Sequence, residues 1–299
     1  MIHIVCTMDD NYMQHCAAML NSLLSNNKKQ TFTIHIVHPN AKESNLTNLK
    51  NLFKIYKTDS FYYNIDSSIM DGAPIKKIDH VTIATYFRIL LPDILPSDLS
   101  KVLYLDPDMI VLDNIEELWN TDIENVAFGA TQGLGGGLAS KILNNIPLEK
   151  DYFNAGLLLI NLDYWKERNV KNRVLSYIAE NQNKLLYHDQ DALNAVLYNE
   201  WKKLNVRWNV QSPYFEKLHF FVRENKLSSE DIFLLIKQNC SIVHYTGSVT
   251  SKPWYKDCIH PLKDEYWKHL RATPWKDCKP MAISPFRKIK NRIWSLIRL

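Results

Sequence analysis

The amino-terminal part of the chain alternates between two apolar periods, and this alternation restricts the fold more than any other feature. Residues 2–7 read as a first strand, and residues 12–25 place Ala17, Leu20, Leu23 and Leu24 at the spacing of a helix. Residues 32–37 alternate into His38-Pro39, a second strand ended by proline. Residues 44–53 then carry Leu46, Leu49, Leu52 and Phe53 at helical spacing, and residues 53–57 are expected to begin a third strand. Strand, helix, strand, helix, strand predicts an α/β fold with a mostly parallel central sheet flanked by helices. Ligands of such sheets sit beyond the carboxyl ends of the strands. Further along, residues 157–160 read as a buried strand, residues 165–178 as a helix, and another helix is expected from near Asp189.

Against that frame the run Lys101-Val102-Leu103-Tyr104-Leu105-Asp106-Pro107-Asp108 is unusual. A strand rich in apolar residues delivers two carboxylates to its carboxyl end, and Met109-Ile110-Val111-Leu112 resumes the apolar run beyond them. Two acids this close repel each other unless a cation sits between them. They form either a solvated turn between two strands or a divalent-metal site that also grips phosphate oxygens. Hard carboxylate oxygens suit magnesium or manganese and poorly suit a closed structural zinc site.

Other classes are disfavoured. No GxGxxG follows the first strand and no GxxxxGK[ST] occurs, so neither a dinucleotide fingerprint nor a P-loop is present. Gly135-Gly136-Gly137 is either a surface turn or a phosphate-facing nest. Cys6, Cys16, Cys240, Cys258 and Cys278 are odd in number and scattered, which argues for reduced thiols. With 46% hydrophobic and 23% charged residues the chain is globular in composition, and its apolar runs are too short to span a bilayer. The first residues form a core strand rather than a secretory leader, so a cytoplasmic location is expected.

Charge is uneven. From residue 250 onward twelve basic residues face four acidic ones, a net of +8 against +4 for the whole chain, which leaves the first 249 residues at −4. That balance disfavours a nucleic-acid partner and points to a localised basic surface at the carboxyl end. There, Phe286, Ile289, Ile293 and Ile297 share one helical face, with Arg287, Lys288, Arg292 and Arg298 outside it. This is the pattern of an interfacial helix on an anionic membrane, or else of a terminal helix packed on the domain or a partner. The expected organisation is a catalytic domain over residues 1–255 and a basic, membrane-associating extension over 256–299.

Six segments in order carry a family resemblance: Thr7-Met8-Asp9-Asp10-Asn11-Tyr12, Ala84-Thr85-Tyr86-Phe87-Arg88, Leu103-Tyr104-Leu105-Asp106-Pro107-Asp108, Tyr152-Phe153-Asn154-Ala155-Gly156, His188-Asp189-Gln190-Asp191, and His244-Tyr245 through Gly247 with Lys252-Pro253-Trp254. Together they resemble the retaining glycosyltransferases of family eight, which include bacterial lipopolysaccharide galactosyl- and glucosyltransferases and, more distantly, glycogenin. The resemblance implies a GT-A nucleotide-diphospho-sugar transferase fold. It implies a metal, Mn2+ with Mg2+ as the alternative, on Asp106, Asp108 and His244. It implies a UDP-galactose or UDP-glucose donor held by Thr7, Asp9, Asn11, Tyr12, Arg88, Asn154, Gly247 and Lys252, with Tyr12 stacked on the base. Asp9 and Asp10 alternatively cap the first helix, a role compatible with donor binding. Asn154, Asp189, Gln190 and Asp191 would face the transferred hexose, and Lys252 would meet the departing diphosphate. The spacing from Gly247 to Lys252 is longer than in the close bacterial pattern, which bears on where Lys252 sits. Front-side attack by an acceptor hydroxyl, with Gln190 positioning, is expected over double displacement. A lipid-linked oligosaccharide acceptor at the inner face of the cell membrane completes the implied reaction.

Overall fold

The computed structural model describes residues 1–74, 82–133, 137–215 and 239–282. In chain order the strands are β1 Ile2–Thr7, β2 Phe32–His38, β3 Asp59–Asn64, β4 Lys101–Leu105, β5 Met109–Val111, β6 Phe128–Gln132, β7 Phe153–Asn161, β8 Trp201–Lys203, β9 Val210–Gln211 and β10 Ile242–His244. Among the described residues the α-helices include α1 Met13–Asn26, α2 Glu43–Tyr56, α3 Leu91–Ile94, α4 Glu116–Trp119, α5 Gly137–Leu143, α6 Leu162–Glu167, α7 Val170–Asn181, α8 Asp189–Leu197 and α9 Lys263–Arg271.

Seven strands form the main sheet in the order β3-β2-β1-β4-β7-β6-β8. The pairs β1–β2, β2–β3, β1–β4 and β6–β8 are parallel, and β7 runs antiparallel to both β4 and β6. Strands β1 and β2 are buried nearly throughout, His35 and His38 included, because both faces of the sheet are covered. On one face Leu20, Leu23, Leu49 and Phe53 of α1 and α2 pack against Ile4, Ile34 and Leu103. On the other, Phe87, Trp165, Val174 and Leu193 meet Val5, Tyr104, Leu158 and Ile160. A smaller sheet, β5-β10-β9, has β10 antiparallel to β5 and parallel to β9.

The expected strand at residues 53–57 is corrected: α2 continues to Tyr56, and the third strand begins only at Asp59. Leu49, Leu52 and Phe53 keep the helical stripe buried, and Lys57 ends the helix in the left-handed conformation with its N–H on the carbonyls of Lys54 and Phe53. The helix expected over 165–178 is two helices, broken where Asn169 takes φ 49°. Asn tolerates that conformation better than most residues. Gly137 opens α5, whereas Gly135 and Gly136, like the amphipathic segment from Phe286 onward, lie outside the described residues. All five cysteines are free, and four of them are buried. Among the described residues no helix is long and apolar enough to cross a membrane.

Residues 263–271, beyond the boundary at 255, pack on α1. Tyr266 and Leu270 are buried in a third apolar cluster with Ala18, Val243 and Tyr245. His15 of α1 stacks on Trp254 with ring centroids 3.8 Å apart, and its Nδ1 lies 2.7 Å from the Tyr266 hydroxyl. Trp267 Nε1 donates to the Pro253 carbonyl at 3.0 Å. The loop that carries Lys252 is thus fixed from both sides.

Four buried histidines make this scaffold sensitive to acid. Burial lowers His15 and His260 to about 3, and His35 and His269 to about 4, from the usual 6.5. The unfolded chain therefore binds more protons than the folded one below pH 6.5, so stability falls as pH falls through that window. Each such histidine contributes up to about 1.4 kcal/mol per pH unit. Urea unfolding at pH 7.5, 6 and 5 is expected to show a progressive loss of several kcal/mol; a flat profile would contradict the neutral burial of these rings.

Candidate active site

The crevice forms where β1 and β4 lie side by side and the chain leaves their carboxyl ends. Strand β4 ends at Leu105, and Asp106, Pro107 and Asp108 turn the chain into β5. Because β7 runs antiparallel to β4, its first residues arrive at the same end, and the Asp106 N–H donates to the Gly156 carbonyl at 2.8 Å. Pairing of β10 with β5 sets His244 opposite Met109, and the Tyr245 N–H donates to the Asp108 carbonyl at 3.0 Å. Three ligand-type side chains from two sheets therefore meet.

One ligand atom from each of Asp106, Asp108 and His244 lies within 4.8 Å of the others. His244 Nε2 stands 3.1 Å from Asp108 Oδ1 and 3.9 Å from Asp106 Oδ2. The other oxygen of each acid is committed to the protein. Asp106 Oδ1 accepts from the Tyr104 hydroxyl at 2.7 Å and pairs with Arg88 Nη2 at 3.1 Å. Asp108 Oδ2 accepts from Lys252 Nζ at 2.8 Å. Gly156 clears the space between them: a Cβ there would overlap His244 Cε1 and stand 2.8 Å from Asp106 Oδ2. Two inward oxygens, an imidazole nitrogen and a glycine-lined cradle fit a hard or borderline divalent ion such as Mn2+ or Mg2+.

The charges balance tightly. Burial pushes the Asp108 carboxyl up, but Lys252 and then His244 outweigh it and hold the group well below the usual carboxylate range. Burial disfavours the charged forms of Arg88 and Lys252, yet Asp106 and Asp189 for the first, and Asp108 for the second, hold both above their ordinary values. Burial lifts Asp189 above its ordinary value in spite of Arg88.

The expected site residues divide by what they touch. All three guanidinium nitrogens of Arg88 have protein partners. Its Nε donates to the Thr85 carbonyl, Nη1 to the Ala155 carbonyl and Nη2 to Thr85 Oγ1, while Nε lies 2.9 Å from Asp189 Oδ2. Asp189 also accepts from Thr85 Oγ1 at 2.7 Å. Asp191 is fully buried, and its carboxylate accepts from the Leu186 and Tyr187 N–H groups and the Tyr152 hydroxyl. Thr7 meets the Tyr104 hydroxyl at 3.0 Å. Asn154 and Gln190 are joined, Asn154 Nδ2 donating to Gln190 Oε1 at 3.1 Å. Gly247 turns the chain after His244 with φ 87°.

Asp9 caps the short turn Asp10–Tyr12, accepting from the Asn11 and Tyr12 N–H groups, while Asp10 accepts from the Lys42 N–H and Asn45 Nδ2. A cleft of about 470 Å3 is lined by Asp9, Asn11, Tyr12, Trp254, Tyr255 and Trp275, and neither Asp106 nor Asp108 lines it. Burial pushes the Tyr12 hydroxyl up to about 12, so it stays a neutral ring with a donor.

Sequence reasoning missed four contributors: Tyr104, Tyr152, Gly156 and Asn209. Tyr104 carries a signal, since it lies two residues before Asp106 along an extended segment. Tyr152 and Gly156 fall within a segment singled out above, without a role of their own. Asn209 carries no sequence signal.

The fold and the family are shared with known proteins. Residues 3–258 match the model of glycosyl transferase family 8, and the chain belongs to that family. It is 31% identical over 287 residues to general stress protein A of Bacillus subtilis (strain 168), covering 95% of this chain and 98% of that protein. It is 28% identical over 279 residues to a lipopolysaccharide 1,2-glucosyltransferase of Escherichia coli, covering 90% and 78%. Among solved structures, the galactosyltransferase LgtC in complex with donor and acceptor sugar analogs superposes with a TM-score of 0.78 at 23% identity, covering 91% of this chain and 96% of that one. The fold is GT-A.

Gly156→Ala tests the cradle. The variant is expected to fold, as read by circular dichroism, and to lose Mn2+ affinity by roughly 10-fold or more in calorimetric titration, a loss of the size seen when metal ligands are misoriented. Unchanged affinity would show that the metal does not occupy this space.

Proposed function

We propose that this chain is a metal-dependent, retaining hexosyltransferase that moves galactose, or alternatively glucose, from UDP to a sugar hydroxyl of a lipopolysaccharide- or lipooligosaccharide-type acceptor. The observation that carries the reading is the convergence of Asp106, Asp108 and His244, one ligand atom each within 4.8 Å. Mn2+, with Mg2+ as the alternative, would be held by these three and would neutralise charge on the diphosphate as it leaves. The acceptor chemistry follows from what the Escherichia coli relative is named for.

This chain's own residues supply the rest. Tyr12 offers a ring for the uracil base, with Asp9 and Asn11 beside it at the cleft. Lys252, buried and charged, stands at the metal acids and can turn from Asp108 to a phosphate oxygen. Asn154 and Gln190 flank the hexose. In transfer, the bond from the anomeric carbon to the phosphate oxygen breaks and the bond to the acceptor oxygen forms. The acceptor proton passes to a diphosphate oxygen.

Front-side attack is favoured over a covalent sugar–enzyme intermediate by the state of the candidate nucleophiles. Gln190 Oε1 already accepts from Asn154 Nδ2 and the Ala155 N–H, which uses both of its lone pairs. Asp189 is tied to Thr85 and Arg88, and Asp191 to backbone and Tyr152. The basic segment from Phe286 onward fits reversible attachment to an anionic inner leaflet, at about 1 kcal/mol per basic residue near the surface.

A donor screen with Mn2+ tests the reaction. UDP release from UDP-galactose or UDP-glucose, lost with EDTA and stimulated by a galactose-terminated acceptor, is expected. No metal-dependent turnover of any UDP-sugar would favour a silent scaffold, and consumption of a nucleoside triphosphate would mean nucleotidyl transfer. In the same assay, a chain ending at Pro285 is expected to keep activity on a soluble acceptor and to stop sedimenting with anionic liposomes. Unchanged sedimentation would remove the membrane role.

A further inference from the structure

Asn209 is fully buried in the turn that leads into β9, and its side chain touches two functional residues at once. Its Oδ1 lies 2.9 Å from His244 Nδ1, and its Nδ2 donates to Asn154 Oδ1 at 2.8 Å. The chain of contacts continues through Asn154 Nδ2 to Gln190 Oε1 and from Gln190 Nε2 to the Tyr152 hydroxyl, which donates to Asp191.

The directions of the Gln190 and Asn154 amides are set by backbone groups that cannot flip, and that of Asn209 follows from Asn154. The Ala155 N–H donates to Gln190 Oε1 at 3.0 Å, so the oxygen of Gln190 must face β7. The Gly156 N–H donates to Asn154 Oδ1 at 3.0 Å, so Asn154 presents its oxygen there and its NH2 to Gln190. Asn209 must then offer its NH2 to Asn154 and its oxygen to His244. A carbonyl oxygen accepts only, so His244 Nδ1 carries a proton. With the Nδ1 proton held by Asn209, Nε2, the atom that faces Asp106 and Asp108, is the ring nitrogen left to offer its lone pair to a metal.

We infer that Asn209 is a positioning residue that sets the His244 tautomer for metal ligation and couples the metal site to the Asn154–Gln190 pair on the hexose side. The inference rests on the proposed reading of those two sites. Its logic is that of an outer residue orienting a metal ligand, with the addition that one amide serves both sites. Residues linked this way commonly change metal affinity by roughly 10- to 100-fold when replaced.

Two variants separate the two bonds. Asn209→Asp keeps an acceptor for the Nδ1 proton but sets a carboxylate oxygen against Asn154 Oδ1. Asn209→Leu removes both bonds. In metal-free enzyme, long-range 1H–15N correlation is expected to show His244 protonated at Nδ1 in the parent and in Asn209→Asp, and in Asn209→Leu a shift of the proton from Nδ1 to Nε2, which faces Asp108 Oδ1 at 3.1 Å. Calorimetry with Mn2+ alone is expected to give Asn209→Asp an affinity close to the parent and Asn209→Leu roughly 10-fold weaker or worse, while Asn209→Asp loses kcat with UDP affinity retained. Should the parent bind no Mn2+, the metal reading fails, and the tautomer measurement still decides the role of Asn209. Parent-like tautomer populations in Asn209→Leu, or equal behaviour of the two variants in both measurements, would overturn the inference.

Discussion

Everything at this site answers to the repulsion between Asp106 and Asp108. Two carboxylates one residue apart, at a strand end with little exposure, cannot both stay ionised without nearby positive charge. The fold supplies two cations from opposite directions. Arg88 reaches Asp106 from the segment before α3, and Lys252 reaches Asp108 from the loop after β10. Each takes the outward oxygen, which leaves the inward pair facing His244 Nε2. Removing either cation would leave a buried charge uncompensated, a change that costs about 3–5 kcal/mol in comparable pairs. The two cations thus aim the acids as well as neutralise them.

Arg88 and Lys252 hold their acids in different ways. A guanidinium has its donors in a fixed fork, and here each of the three nitrogens has a protein partner among Thr85, Ala155 and Asp106, with Asp189 beside the Nε. Lys252 is different. Its ammonium has three rotatable donors, and two have partners: Asp108 and the Tyr245 carbonyl. The longer spacing after Gly247 still brings it to Asp108, because Trp254 stacks on His15 and Trp267 holds Pro253.

Much of this could be read from residue order. The alternation of periods defines the sheet, and acids that interrupt a buried run mark the place where ligand chemistry is concentrated. The boundary between α2 and β3 could not be read that way. Leu52-Phe53-Lys54-Ile55-Tyr56 suits a strand by composition, and only tertiary packing shows Phe53 buried while Ile55 is 69% exposed. Contacts between distant segments were likewise hidden. Asn209 and His244 stand 35 positions apart, and no pattern announces their pairing, which depends on the parallel register of β9 and β10. The partners of Asp191 were hidden too: it is buried and accepts from the Leu186 and Tyr187 N–H groups and the Tyr152 hydroxyl, contacts that no sequence pattern announces.

The most direct test of the central claim is anomalous diffraction at the manganese edge from crystals grown with Mn2+ and UDP. The account predicts a single strong peak within coordination distance, about 2.0–2.4 Å, of an oxygen from each of Asp106 and Asp108 and of His244 Nε2. A manganese peak elsewhere, or one that leaves His244 uncoordinated, would contradict it.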